Sequence, residues 1–459
     1  MVGHVSGAWM GLAAAVGDGT LYPPLHEDGF FGGTRFMPLF FVAHGGLELL
    51  TDELLVSGKL LTYASAAGLV ALLLVLLRRR GTPWPLSIGL AGALVASWAA
   101  TSTVFGIRGD ALAVLLELGA VALLAERVTT GRAAAAGLLS GLALFVKLSA
   151  LWAPVALVVW LALTSRRALL PFLGAFAATA GLLFALVESL SSGRFSENLR
   201  EFAFAGSGGE SALQGARRLY ELALRDQRSL WPILLLAAAA AVIALVQRPG
   251  VYELAFVAAG GILLVVLRDL GAYENHLLDV SVLAALVIGG AWSSLTGRLR
   301  DVFRALAVVA VLLATALAAR HTLAPDLRTA LRDGDDDARF STRPLKGLVS
   351  FDACVLSEDP ALPLLAGYRP VVLDAFIVRR LDRQDAEALR RRVDRREFPH
   401  IVLMAPATDP VQYTSFDFTP EIAAAVQRRY RLAAQVPEAS LWVYERTPGS
   451  QVTCHQEPR

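Results

Sequence analysis

A polytopic α-helical membrane domain followed by a small α/β layer is the fold this sequence predicts, and three observations carry the prediction. Hydrophobic residues make up 55% of the 459 positions and the mean hydropathy is +0.54. A soluble domain has an apolar share of about 45–50% even with glycine counted. About ten apolar stretches of span length fill the first two thirds of the chain. Charge collects after residue 320, where strand-like and helix-like runs alternate. The formal net charge of +2 conceals this division and gives no reason to expect nucleic acid as a partner.

In chain order, residues 1–57 form an outer juxtamembrane segment. No basic stretch precedes an apolar run there, so no signal peptide is visible. Residues 18–40, DGTLYPPLHEDGFFGGTRFMPLF, mix Tyr22, His26, Glu27, Asp28 and Arg35 with Gly29, Gly32 and Gly33, a composition suited to the floor of a binding site. The apolar run at 36–50 is about 14 residues long, short of the roughly 20 a span needs, and predicts a helix lying at the membrane surface. Spans are expected near 58–77, 84–104, 110–126, 132–148, 150–165, 168–189, 229–247, 251–267, 276–296 and 302–320. Together they make a membrane domain over 58–320 with one long loop at 190–228.

Alternate connections between these stretches carry Arg78, Arg79, Arg80, Arg127, Arg132, Arg166, Arg167, Arg248, Arg298, Arg300 and Arg304, whereas the others carry only Arg108, Lys147 and Arg268. The positive-inside rule places the first set in the cytoplasm and residues 1–57, the loop 190–228 and everything after 320 outside. An outer N-terminal segment with no span before it predicts an additional span upstream of Met1.

On the outer side, polar residues gather at membrane level: Arg108 and Asp110 in GIRGDAL, Lys147 in FVKLSALW, and Tyr273, Glu274, Asn275, His276 and Asp279 in GAYENHLLD. Ionisable groups there cost about 2.5–3.5 kcal/mol or more at mid-membrane and mark partners or function. Bland readings stand beside this one. Arg108 and Lys147 suit snorkelling side chains, and Asp110 suits a helix cap. His276 has no second His or Cys at ligand spacing, while His276 with Glu274 fits a proton-transfer pair. In the loop 190–228, Phe202 and Phe204 precede a small-residue run at 205–209, which suits a hinged lid or a plain connector. No Walker A loop, dinucleotide fingerprint, HExxH or GxSxG occurs.

Residues 321–459 open on a charged linker and predict a soluble extracytoplasmic α/β domain. ACVLS, PVVLDAF, HIVLMAP and SLWVYER read as strands, and 382–398 and 420–430 as helices. Helix 382–398 bears Arg390, Arg391, Arg392, Arg395 and Arg396, a solvated face or a contact for anionic groups. Glu358, Asp359 and Asp374 follow strand-like runs, where a loop could hold a ligand, and nothing in the sequence places catalysis there. The two cysteines, Cys354 and Cys454, are too few for a disulfide framework and allow one bridge.

The ordered set DGTLYPPLHEDGFFGGTRFMPLFF, LLVSGKLLTYAS, GIRGDAL, GLALFVKLSALWAP and GAYENHLLD resembles the C-type membrane glycosyltransferases that use polyprenyl-phosphate sugars, among them the protein mannosyltransferases and the aminoarabinose and galacturonic acid transferases of lipid A. The resemblance implies a lipid-linked sugar donor, a cell-envelope glycan, lipid or protein as acceptor, and a bacterial inner-membrane location. It matches Asp110 to the second outer-loop acid, Lys147 to the base near the lipid phosphate, and Arg35 and Arg108 to phosphate ligands. His4, Tyr22, Tyr273, Glu274, Asn275 and His276 fall in the implied donor or acceptor pocket, and a divalent metal is a candidate cofactor. The family's first-loop carboxylate is expected upstream of Met1, which would leave this chain inactive unless Glu27 or Asp28 substitutes. A transporter with Asp110, Lys147 and His276 along its pathway, or a non-catalytic relative, are the other readings; no internal repeat favours the transporter.

Overall fold

A computed structural model describes residues 4–27, 29–204, 212–222, 229–247, 250–268, 272, 274–320, 345, 347–351, 354–380, 383–409, 413, 418–437 and 440–447. The described part is mostly helical. Helix α1 (His4–Gly17) leads through a two-residue hairpin, β1 (His26–Glu27) and β2 (Phe30–Phe31), to α2 (Pro38–Thr51). Pro38 opens α2, where its missing N–H is no loss, and Asp52 closes it in the left-handed region at φ 53°. This is the short helix expected at 36–50.

The bundle follows as α3 (Leu54–Arg79), α4 (Trp84–Val95), α5 (Trp98–Phe105), α6 (Asp110–Glu126), α7 (Thr130–Val146), α8 (Trp152–Thr164), α9 (Arg166–Leu190), α10 (Arg194–Asn198), α11 (Ala212–Tyr220), α12 (Trp231–Gln247), α13 (Val251–Val266), α14 (Leu277–Ser294) and α15 (Gly297–Ala318). Every stretch read as a span is helical. By length and composition, however, four helices among the described residues are fit to cross a membrane: Leu54–Arg79, Arg166–Leu190, Glu274–Ser294 and Gly297–Ala318. Helices such as α8, with 13 residues, reach only about 20 Å at 1.5 Å per residue, short of a hydrocarbon core about 30 Å thick. The stretch 84–104 is not one straight helix. It bends by 67° between α4 and α5, because the Ser97 hydroxyl accepts the Ala100 N–H and starts a new helix.

Packing between α7 and α9 is close because Gly137 and Gly141 face α9. A Cβ at Gly141 would lie 2.8 Å from the Thr179 Cβ, so the small-xxx-small spacing lets the two backbones approach. Arg79 pairs with Glu126 and Arg80 with Glu253. The arginine-rich end of α3 therefore meets the acidic end of α6 and the start of α13 at one end of the bundle, while the first residues of α6 and α14 and the last of α7 lie at the other.

The C-terminal layer holds a four-stranded mixed sheet in the order β3 (Val355–Ser357), β4 (His400–Leu403), β6 (Leu441–Arg446), β5 (Tyr430–Val436). Strand β3 runs parallel to β4, and the other pairs are antiparallel. Helices Arg383–Asp394 and Pro420–Arg429 supply the apolar face that covers the sheet. The segment PVVLDAF is not a sheet strand: Val372 forms an isolated bridge to Phe31 of the N-terminal hairpin, and a 3-10 turn follows at Ala375–Arg380. Conversely, β5 is an edge strand with a mostly exposed central stretch, so it lacks the alternation that marks a strand in sequence. Cys354 is buried and disulfide-bonded; Cys454 and the linker 321–344 lie outside the described residues.

Candidate active site

The segments that carry the outer polar residues converge. The loop between α5 and α6 is drawn under α1 by a hydrogen bond from the Ile107 N–H to the Ser6 Oγ, 3.0 Å, which fixes Arg108 beside the start of α6. Asp110 is the first residue of α6 and is 6% exposed. Helix α7 stops at Lys147, whose backbone turns extended, at φ −152° and ψ 123°, so its side chain leaves the helix axis and meets Asp110 at 2.6 Å. A 3-10 turn at Glu274–His276 precedes α14 and lets the Asn275 Nδ2 donate to the same carboxylate, 2.8 Å. Three chain segments thus share one carboxylate.

Around this knot lies a cavity of about 670 Å³. Its polar lining includes His4, Arg35, Arg108, Asp110, Lys147, Glu274, Asn275 and His276. Gly261, Ile262, Val265 and Val266 of α13 form an apolar wall, and Trp9, Phe36, Phe202 and Phe376 an aromatic one. The rings of Trp9 and Phe36 stack at 4.4 Å, and the Arg35 guanidinium lies 4.2 Å over Phe376. Among the described residues, the buried Arg108 Nε meets no hydrogen-bond partner. Three guanidinium or ammonium groups against Asp110 and Glu274 leave the lining rich in positive charge, which suits an anionic head group.

Not every residue singled out in sequence reaches the cavity. Tyr22 lies behind the wall: its OH donates to the Phe36 carbonyl, 2.8 Å, and its ring packs edge-on against Phe41. Glu27 is exposed on the β1–β2 hairpin and is not part of the lining. Asp28 and Tyr273 lie outside the described residues, as does the hinge run 205–209. From the loop 190–228, Phe202 reaches the cavity, and the Asn198 Oδ1 accepts the Thr34 N–H, 2.7 Å, joining that loop to the N-terminal segment.

Beneath the floor sits a polar layer that sequence reading reached only in part. The Trp152 indole donates to Asp279, 3.1 Å, and the Ala153 N–H to the fully buried Glu117, 3.1 Å. Glu117 lies seven residues after Asp110, on the same face of α6, and a lone acid in an apolar helix was the signal available for it. Among the described residues, no three His, Cys, Asp or Glu side chains gather as a metal site. Asp110 is already engaged by Lys147 and Asn275.

No protein-family model matches the sequence, and no curated protein matches it. Solved structures do match in fold. One is ArnT from Cupriavidus metallidurans bound to undecaprenyl phosphate, with TM-score 0.56 and 13% identity, over 98% of this chain and 95% of that one. Another is the Archaeoglobus fulgidus oligosaccharyltransferase in complex with Zn and sulfate, with TM-score 0.55 and 12% identity, over 94% of this chain and 67% of that one. The archaeal oligosaccharyltransferase AglB, in complex with an inhibitory peptide and a dolichol-phosphate, matches at TM-score 0.51 and 13% identity, over 98% and 71%. The fold is the C-type fold of membrane glycosyltransferases.

Proposed function

We propose that this chain is a membrane glycosyltransferase that moves a sugar from a polyprenyl-phosphate carrier to an extracytoplasmic acceptor. The observation that carries the reading is the cavity itself, which sets Arg35, Arg108 and Lys147 beside the apolar wall of α13. An amphiphile with an anionic head and a hydrocarbon tail has that division of chemistry. ArnT was solved with undecaprenyl phosphate and AglB with a dolichol-phosphate, ligands of this kind.

In this reading the acceptor hydroxyl oxygen attacks the anomeric carbon from the face opposite the phosphate, the sugar–phosphate bond breaks with its electron pair left on the phosphate, and the acceptor's proton passes to water or to the released phosphate. Arg108 and Arg35 offer forked donors to the leaving oxygens, and Lys147 a point charge. Asp110, bound to both Lys147 and Asn275, holds those two side chains in place rather than serving as the acceptor's base. The acceptor is a glycan, lipid or protein of the cell envelope.

The cavity end faces outward and the arginine-rich end inward by the positive-inside rule. A disulfide at Cys354 supports the same direction, since such bonds persist outside the reducing cytosol. The C-terminal layer is then extracytoplasmic, and the bundle sits in a bacterial inner membrane.

The test is carrier binding. The full chain in nanodiscs should bind undecaprenyl phosphate but not undecaprenol, measured by native mass spectrometry. A charge-assisted hydrogen bond is worth about 1.5–3 kcal/mol, so Arg108→Ala should weaken binding by roughly tenfold to a hundredfold. Equal affinity for the alcohol and the phosphate would sink the reading. A panel of undecaprenyl-phosphate monosaccharides, scored by release of undecaprenyl phosphate, then identifies the donor.

A further inference from the structure

The connection between α7 and α8, residues 147–151, supplies Lys147, Leu148, Ser149 and Leu151 to the cavity lining. It is a tight turn: the Ala150 N–H donates to the Lys147 carbonyl and the Leu151 N–H to the Ser149 carbonyl, both at 2.9 Å. At its first end Lys147 meets Asp110, the first residue of α6, and Asn275, on the turn before α14, donates to the same carboxylate. At its other end α8 starts without a cap of its own, because the Leu151 side chain has no acceptor for the free N–H groups of the first turn. Glu117, two turns further along α6, supplies that acceptor by taking the Ala153 N–H at 3.1 Å. Asp279 of α14 takes the neighbouring Trp152 indole N–H at 3.1 Å.

The same two helices therefore clasp the connection at both ends: α6 through Asp110 and Glu117, about 10 Å apart at 1.5 Å per residue, and α14 with the turn before it through Asn275 and Asp279. Glu117 is fully buried, and neither it nor Asp279 lines the cavity. A void of about 10 Å³ shares Ser149 and His276 with the cavity and touches Trp152 and Asp279, with room for no more than a water. Donor and acceptor do not reach either acid. What Glu117 and Asp279 contribute passes through the connection they hold.

We propose that Glu117 and Asp279 are positioning residues for Lys147: by fixing the start of α8 they set the connection, and with it the reach of the Lys147 ammonium toward the donor's phosphate. This rests on the transferase reading above. A lysine is a point charge on a flexible stem, so its ion pair with Asp110 places the ammonium only as well as the backbone behind it is placed. Glu274 and His276 flank Asn275 on the turn before α14 and also line the cavity. A change at Asp279 would move them together with Lys147, whereas Glu117 acts from α6, so Glu117 is the residue to perturb first.

The experiment uses the full chain in nanodiscs with undecaprenyl phosphate as the probe. Glu117→Leu removes the acceptor with little change in bulk and should weaken binding about tenfold, since a misplacement of about 1 Å can cost as much as about a hundredfold. Glu117→Gln keeps an oxygen for the Ala153 N–H and should bring binding back to within about threefold of wild type. Placed on Lys147→Ala, Glu117→Leu should change affinity by less than about twofold, because the group it positions is gone, whereas on Arg108→Ala its full effect persists. In the ligand-free chain carrying isotope-labelled lysine, the Lys147 ammonium signal, identified by its absence from Lys147→Ala, should shift in Glu117→Leu and return in Glu117→Gln. Trp152→Phe keeps a ring and loses the indole N–H; it should move the same signal, and it serves in place of Glu117→Leu if that variant does not fold. An unmoved Lys147 signal, or an affinity loss of equal size with and without Lys147, overturns the positioning role. A wild-type chain that does not bind undecaprenyl phosphate instead removes the transferase reading, and the lysine signal still decides whether the clasp places Lys147.

Discussion

Two buried ion pairs sit at opposite ends of the same bundle, Lys147–Asp110 at 2.6 Å and Arg80–Glu253 at 2.7 Å. Distance and burial hardly distinguish them. Their surroundings do: Arg80 lies 4.7 Å over the Tyr252 ring and presses on Gly290, and neither Arg80 nor Glu253 lines the cavity. Lys147 and Asp110 open onto about 670 Å³ shared with Arg35 and Arg108. A buried ion pair alone is weak evidence for anything, because desolvation offsets most of its attraction. What separates a fastener from a site is space beside the pair and surplus charge facing that space.

The comparison can be broken most sharply at its cavity end. Lys147→Ala should reduce undecaprenyl-phosphate release by about a hundredfold or more, since an oriented cation on the leaving oxygens contributes about 2.7–4 kcal/mol; a change below tenfold would make the two pairs equivalent. At the other end, Glu253→Ala leaves Arg80 buried without its acid. A stability loss of about 3–5 kcal/mol is expected, read as a fall in thermal midpoint in detergent, with carrier affinity of the folded fraction unchanged.

Smaller effects sharpen the boundary of the site. A Cβ at Gly33 would collide with the Phe202 ring, so Gly33→Ala should cost about 1–3 kcal/mol of overpacking and weaken carrier binding together. Loss of stability without loss of binding would take Phe202 out of the cavity's function. The His26–Asp385 pair, 2.8 Å and with both side chains 30% exposed, joins the hairpin to helix Arg383–Asp394. Its removal by His26→Ala should shift stability by less than about 1 kcal/mol.

Much of the fold was legible because long apolar runs announce helices whatever surrounds them. The bend at Ser97 was not, since a total hydropathy over 84–104 does not register one hydroxyl that begins a new helix. PVVLDAF has the apolar pattern of a strand, but its backbone partner is Phe31, at the other end of the chain, where no local pattern points. For the site, polar residues stranded at span ends led to Arg108, Asp110, Lys147, Asn275 and His276, which the structure gathers in one cavity. Glu27 was chosen for its acidic, glycine-rich neighbourhood, but its own side chain lies exposed on the hairpin while Gly32 and Gly33 behind it are buried.

The hydrogen bonds between Phe31 and the 371–373 segment also govern when the cavity wall can exist. A ribosome delivers Phe31 early and Val372 only after every helix of the bundle has been made. Contacts so far apart in sequence form late. The bundle can be inserted and packed while its cavity is still open on one side, and synthesis of the last third is what closes it. Such a protein carries a check on its own completeness: a product cut short before the C-terminal layer would keep Arg35, Arg108 and Lys147 but lack Phe376 in the cavity wall.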